Sequence, residues 1–277
     1  MQKIYPKTCE NLNGEENIRK YIKKYKGVEI QYFHKNKDKL VDFEMTPAVE
    51  KIMKINPEIK EITIHPPLGE YNIEYIIAAD EELLFKLLNN MVELSNKYNI
   101  EMNIVLHSDL TYIGHKYCTL NVLRKATDML KGTRVRMLLE NLFMFYGNEL
   151  CSALEVCKEI DSDNLKICID MCHLYCRAHM FKMSIEKFLV TYLDKELCNK
   201  YVHQIHFADT KNDDGYIEKD THGRGYDSIE KLKYDLNLLK EYGMENKLIV
   251  TEVSEDDYSS RKDQIKEIEL LEEVYNQ

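Results

Sequence analysis

The chain has 277 residues, 44% of them hydrophobic and 31% charged, and a formal net charge of -10. That length suits one closed α/β barrel, and the composition is that of a globular enzyme able to bury a sizeable core. The acidic balance disfavours nucleic-acid binding by phosphate attraction over the whole surface, but allows a phosphate substrate held beside bound cations. Short apolar or β-branched runs alternate with amphipathic stretches of helical period. The predicted strands are 3–5, 28–33, 61–65, 102–107, 134–140, 166–170, 201–206 and 248–252. The predicted helices are 15–25, 47–55, 80–97, 120–130, 149–160, 184–193, 228–242 and 262–275. Ser184 and Ser228 stand at N-cap positions, and Gly132 and Gly243 just follow helices. Eight strands alternating with eight helices imply parallel pairing. The count favours a single-domain (β/α)₈ TIM barrel over residues 1–277, with an open doubly wound sheet as the alternative.

No run approaches the roughly 20 apolar residues of a membrane helix. The opening Met1-Gln2-Lys3-Ile4-Tyr5-Pro6 lacks the apolar core of a secretory signal, so a cytoplasmic location is expected. The eight cysteines are then expected as reduced thiols in or near the core. Cys168, Cys172 and Cys176 are spaced by four, unlike the CxxC pairs of structural zinc sites.

The informative pattern lies at the strand ends. Six consecutive predicted strands finish on an ionisable residue of metal-ligand type: His65, His107, Glu140, Asp170, His206 and Glu252, with His173 one turn after Asp170. In a barrel these ends converge on one face, where active sites are built. Three imidazoles and three carboxylates there would be costly to bury without compensation, which divalent metals supply. Any one of these residues alone is more simply a hydrogen-bonded or capping group, but six in register are not. His203 lies three positions before His206, so strict alternation puts it on the opposite side of the strand. The loop after the seventh strand adds Asp220 and His222, two apart and followed by Gly223-Arg224-Gly225, a pair able to chelate a further ion.

Cys168-Ile169-Asp170-Met171-Cys172-His173 closely resembles the C-I-D-T-C-H motif of endonuclease IV, the zinc-dependent apurinic/apyrimidinic endonuclease family. His206-Phe207-Ala208-Asp209 resembles its H-x-N-D motif. Asp220-Thr221-His222-Gly223-Arg224-Gly225 resembles a shortened D-R-H plus G-x-G, and Glu140-Asn141 the start of E-N-T-A-G. The resemblance spans the chain at low density. It implies up to three Zn2+ ions, with Mn2+ admissible at some sites. His65, His107 and Glu140 would hold the first. Glu140 would bridge to a second held by Asp170, His206 and Glu252, and His173, Asp220 and His222 would hold the third. It further implies DNA with abasic sites as partner, incised on the 5′ side by a metal-bridged hydroxide. The run Pro66-Pro67-Leu68-Gly69-Glu70-Tyr71-Asn72, and Leu142-Phe143-Met144-Phe145-Tyr146 after the bridging Glu, depart from the family around the pocket rim, where substrate class is set.

The rival reading is a sugar isomerase or epimerase of the xylose-isomerase-like superfamily. There Glu140, Asp170, His206 and Glu252 would surround one ion, and Glu140 and Glu252 would move protons beside a polarised carbonyl. His65, His107, Asp220 and His222 have no obvious task in that chemistry. A third reading is a metal-dependent binding protein without turnover. Tyr71, Tyr112, Phe143, Phe145 and Tyr175 are candidates for a stacking rim.

Overall fold

The structure, a computed structural model, describes residues 4–11, 14–32, 44–66, 81–107, 113–142, 149–210, 223–255 and 259–275. The chain opens with β1 (Ile4–Tyr5) and β2 (Lys7–Cys9), followed by α1 (Glu15–Lys24), β3 (Gly27–Gln31), α2 (Thr46–Ile55) and β4 (Glu61–His65). Next come α3 (Glu81–Tyr98), β5 (Glu101–His107), α4 (Ile113–Leu130), β6 (Val135–Glu140), α5 (Glu149–Ile160) and β7 (Leu165–Asp170). The last part holds α6 (Met171–Met180), α7 (Ile185–Tyr192), α8 (Lys195–Tyr201), β8 (Val202–Phe207), α9 (Ile229–Glu241), β9 (Leu248–Thr251) and α10 (Lys262–Tyr275).

Every strand pair is parallel, in the order β1-β9-β8-β7-β6-β5-β4-β3-β2. The expected first strand, 3–5, appears as β1, and a strand outside the expected set, β2, follows it directly; Pro6 separates the two, because proline has no N–H to give to a ladder. Before it, Ile4 pairs with Ile249; after it, Lys7 pairs with Glu29. The two halves of one segment thus join the last strand to the third and bring the sheet round into a barrel. Helices cover its outside, and the core runs from Val28, Ile62 and Ile104 through Leu139, Ile167 and Ile205 to Leu271.

Two helices beyond the predicted set appear, α6 and α8. Helix α6 follows β7 with no intervening loop because Asp170 ends the strand and caps the helix, its Oδ1 accepting from the His173 N–H at 2.7 Å. It is buried on most sides, which erases the 3.6-residue alternation that reveals a surface helix. The seven-residue α8 is capped by Asp194, whose Oδ1 accepts from Glu196 N and Leu197 N. Ser184 and Ser228 cap α7 and α9 as expected, and Gly132 and Gly243 both take the left-handed conformation that stops a helix. The cysteines described at 9, 157, 168, 172, 176 and 198 are all free and buried. No described helix is long and apolar enough to cross a membrane.

Candidate metal centre

Parallel register brings the strand ends together. His107 stands opposite Glu140, and Asp170 opposite His206. His65, Glu140, Asp170, His206 and Glu252 are buried, and the His107 side chain is 17% exposed, at the open side. Ligand atoms of His65, His107 and Glu140 lie within 4.8 Å of one another, as do those of Glu140, Asp170, His206 and Glu252. Six of the nine residues singled out in the sequence therefore share one pocket.

Glu140 joins the two groups. Its Oε2 faces His107 Nε2 at 3.2 Å and His65 Nε2 at 3.6 Å, while its Oε1 lies 2.7 Å from His206 Nδ1. Two ligands each about 2.1 Å from a tetrahedral ion stand about 3.4 Å apart, the spacing seen on the Oε2 side. On the Oε1 side, His206 Nδ1 also meets Glu252 Oε2 at 2.5 Å, a hydrogen-bond spacing. The rings of His65 and His206 stack with centroids 5.6 Å apart, and His107 meets His65 edge-on.

The other ring nitrogens of His65 and His173 have backbone partners. His65 Nδ1 lies 3.0 Å from the Pro66 carbonyl and 3.1 Å from the Gln31 amide nitrogen, and His173 Nδ1 donates to the Asn141 carbonyl at 2.5 Å, so each Nε2 is the nitrogen left to act as a ligand. Asn141 also accepts from the Asp170 N–H at 2.8 Å and donates to the Asp170 carbonyl, holding the end of β7. His173 falls in neither group of close ligand atoms. Its expected partners Asp220 and His222 lie outside the described residues, as do Tyr71, Tyr112, Phe143 and Phe145. Tyr175 is described: its hydroxyl donates to Asp235, with the Lys231 ammonium over its ring, so it braces α6 against α9. Gly223 packs where a Cβ would come within 2.9 Å of the Glu252 carbonyl, and it has φ 79°, so only glycine suits this close approach beside a ligand.

The sequence reading overlooked four residues of this pocket: Lys7, Glu29, Gln31 and Gln204. Glu29 Oε2 lies 2.9 Å from His206 Nε2, and Glu29 Oε1 3.0 Å from the Lys7 ammonium, which also bonds Glu252. Gln31 donates to the Tyr32 and Pro66 carbonyls beside His65. A glutamate in the middle of one strand and a lysine opening another, both buried, were the available signal, because such charges persist only when paired. The expected outward placement of His203 is corrected as well. The β7–β8 register slips between Ile167 and Cys168, making His203 the extra residue of a bulge, and its Nε2 meets Glu61 at 2.7 Å at the strand-start end.

Burial alone would raise the carboxyl pKa values here, but the neighbouring cations win. His206 and Lys7 hold Glu29 at about 2, and the imidazoles, His206 foremost, hold Glu140 well below the usual carboxylate range. Burial works against the charged form of His206, yet Cys168 and the carboxylates of Glu252, Glu29 and Glu140 push its pKa well up. With Asp170, four carboxylates meet a single lysine in this cluster among the described residues, an anionic donor set of nitrogen and oxygen that suits zinc or manganese. Divalent cations fit it.

The sequence matches the family described as xylose isomerase-like TIM barrel over residues 21–274. The chain belongs to that family. No curated protein sequence matches it. Among solved structures it is similar to an AP endonuclease, family 2, from Brucella melitensis, with 13% identity over 94% of this chain and 96% of that one, TM-score 0.58. It is also similar to the IOLI protein with a zinc atom, with 17% identity over 98% and 97%, TM-score 0.64. A D-tagatose 3-epimerase-like protein matches with 20% identity over 98% and 97%, TM-score 0.58. At these identities the likeness shows the fold alone.

Proposed function

We propose that this barrel is a metal-dependent phosphodiester hydrolase acting like endonuclease IV, on DNA 5′ to abasic sites, with zinc as its metal. The supporting observation is the division of Glu140 between two ligand groups, Oε2 toward His65 and His107, Oε1 toward His206. That is the arrangement of a carboxylate shared by two ions, and paired ions suit displacement at phosphorus, where two oxygens carry charge. In the assigned roles His65, His107 and Glu140 would hold one ion, and Glu140, Asp170, His206 and Glu252 another. His173 offers Nε2 to a third with Asp220 and His222. Divalent ions bound there supply a lowered water pKa and stabilise developing negative charge. The chain's own part is to aim the ligands: Asn141 fixes Asp170 and His173, Pro66 fixes His65, and Lys7 holds Glu252.

A second reading is epimerisation of a sugar. It is favoured by the completeness of Glu140, Asp170, His206 and Glu252 as a four-ligand set on their own, with Glu140 and Glu252 as the proton-moving pair. The test is zinc- or manganese-loaded protein assayed on an abasic-site duplex beside a panel of ketoses. Incision on the 5′ side of the lesion with inert ketoses supports the hydrolase. Ketose turnover with an intact duplex transfers the assignment to the epimerase.

A further inference from the structure

The barrel interior directly beneath the candidate ligands is polar where barrels of this kind are commonly filled with branched apolar side chains. Glu29, Thr63, Asn103 and Gln204 are each 0% exposed there, and their hydrogen bonds run in one direction. The Asn103 amide NH₂ donates to Glu61 Oε1 at 2.9 Å and to Thr63 Oγ1 at 3.2 Å. A carboxylate only accepts, so Glu61 fixes which way that amide points. Thr63 Oγ1, already an acceptor, donates its one hydrogen to Gln204 Oε1 at 2.8 Å. Gln204 is thereby turned with Nε2 toward Glu29, to whose Oε2 it donates at 2.7 Å.

The last link is His206, whose Nε2 lies 2.9 Å from the same Glu29 Oε2. Gln204 Nε2 also approaches His206 Nε2 at 2.9 Å, so two proton placements compete. With the proton on Nδ1, that nitrogen would donate to Glu140 Oε1 at 2.7 Å or Glu252 Oε2 at 2.5 Å, and a bare Nε2 would face a carboxylate oxygen that can only accept; an ion held by Nδ1 and those oxygens would displace that proton and leave Nε2 as its place. With the proton on Nε2, it makes a charge-assisted hydrogen bond to Glu29, roughly twice as strong as a neutral one. Lys7, 3.0 Å from Glu29 Oε1, anchors the far oxygen.

We infer that the chain Glu61–Asn103–Thr63–Gln204–Glu29, braced by Lys7, is a positioning device that keeps the His206 proton on Nε2 and commits Nδ1 to the metal. The inference rests on reading His206 as a metal ligand, and it is independent of which substrate the metal serves. Glu29 acts through His206 and is a positioning residue. A glutamine in its place turns an NH₂ toward either the Lys7 ammonium or the Gln204–His206 pair, so a donor faces a donor in both orientations. Carboxylate partners of ligand histidines elsewhere are worth about 10–100-fold in metal affinity, and the same loss is expected here.

The test uses the full chain loaded with zinc and labelled with ¹⁵N-histidine. Long-range nitrogen–proton correlations on the wild type are expected to show His206 protonated at Nε2 and metallated at Nδ1. Metal on Nε2, or a proton on Nδ1, overturns the inference without any substitution. In parallel, zinc affinity is measured by competition with a chromophoric chelator. Glu29→Gln is expected to bind about 10–100-fold more weakly. Thr63→Val is expected to weaken binding several-fold and shift the cobalt absorption spectrum, and Thr63→Ser to restore both. Unchanged affinity in Glu29→Gln and Thr63→Val defeats the inference while leaving the metal centre standing. A wild type that takes up no zinc defeats both together.

Discussion

The two ends of the barrel both carry charge, and they handle it differently. At the strand-start end, Arg136 pairs with Glu101 at 2.5 Å, Lys166 with Asp163 at 3.3 Å and His203 with Glu61 at 2.7 Å. Each anion there has a nearby cation or donor. At the strand-finish end, Glu29, Glu140, Asp170 and Glu252 converge, among the described residues, on imidazoles and the one ammonium of Lys7. Buried anions in excess of fixed cations are tolerated when an external cation completes the set. One end is neutralised by its own side chains, whereas the other presents a donor set that divalent cations fit.

That contrast can be broken in three places. The largest effect is expected from Glu140→Ala, which unlinks the two ligand groups. Turnover on the abasic duplex should fall to background, and zinc content per chain should drop, while the circular dichroism spectrum stays that of a folded α/β barrel. Retained turnover would remove the bridging role. Next is metal itself: a zinc ion held more tightly by the folded mouth than by the unfolded chain should, at about 100 times its dissociation constant, add up to about 2.7 kcal/mol of stability, reversed by chelator. A melting temperature indifferent to zinc would erase the distinction between the ends. The smallest effects belong to the strand-start end. A Cβ on Gly27 would sit 2.0 Å from the buried Tyr5 ring, so Gly27→Ala should cost about 2 kcal/mol in denaturant unfolding without altering zinc affinity. His203→Ala should cost about 1 kcal/mol, again with zinc stoichiometry unchanged. A loss of zinc in either variant would mean the two ends are not separate in function.

Much of the mouth was legible in the sequence because each ligand closes an apolar run. Ile62-Thr63-Ile64-His65 and Ile167-Cys168-Ile169-Asp170 announce both the strand and the chemistry at its end. The floor was not legible, for reasons that are local. Pro6 divides the opening segment, so Lys7 enters the barrel from β2, a strand of three residues too short for alternation to show. Glu29 sits inside a strand between Val28 and Ile30, and its meaning depends on Lys7, Gln204 and His206, which only barrel closure brings near. His203 was misplaced because a bulge breaks the period-2 rule at that residue. Helix α6 was missed because Asp170 is strand end, cap and candidate ligand at once, leaving no loop to separate the elements.

The most direct test of the central claim is the number of zinc ions per chain at saturation, by elemental analysis after equilibrium dialysis. A Glu140 shared between two ligand groups predicts at least two, approaching three if Asp220 and His222 complete a site with His173. A wild-type chain that saturates at one ion or none would contradict it.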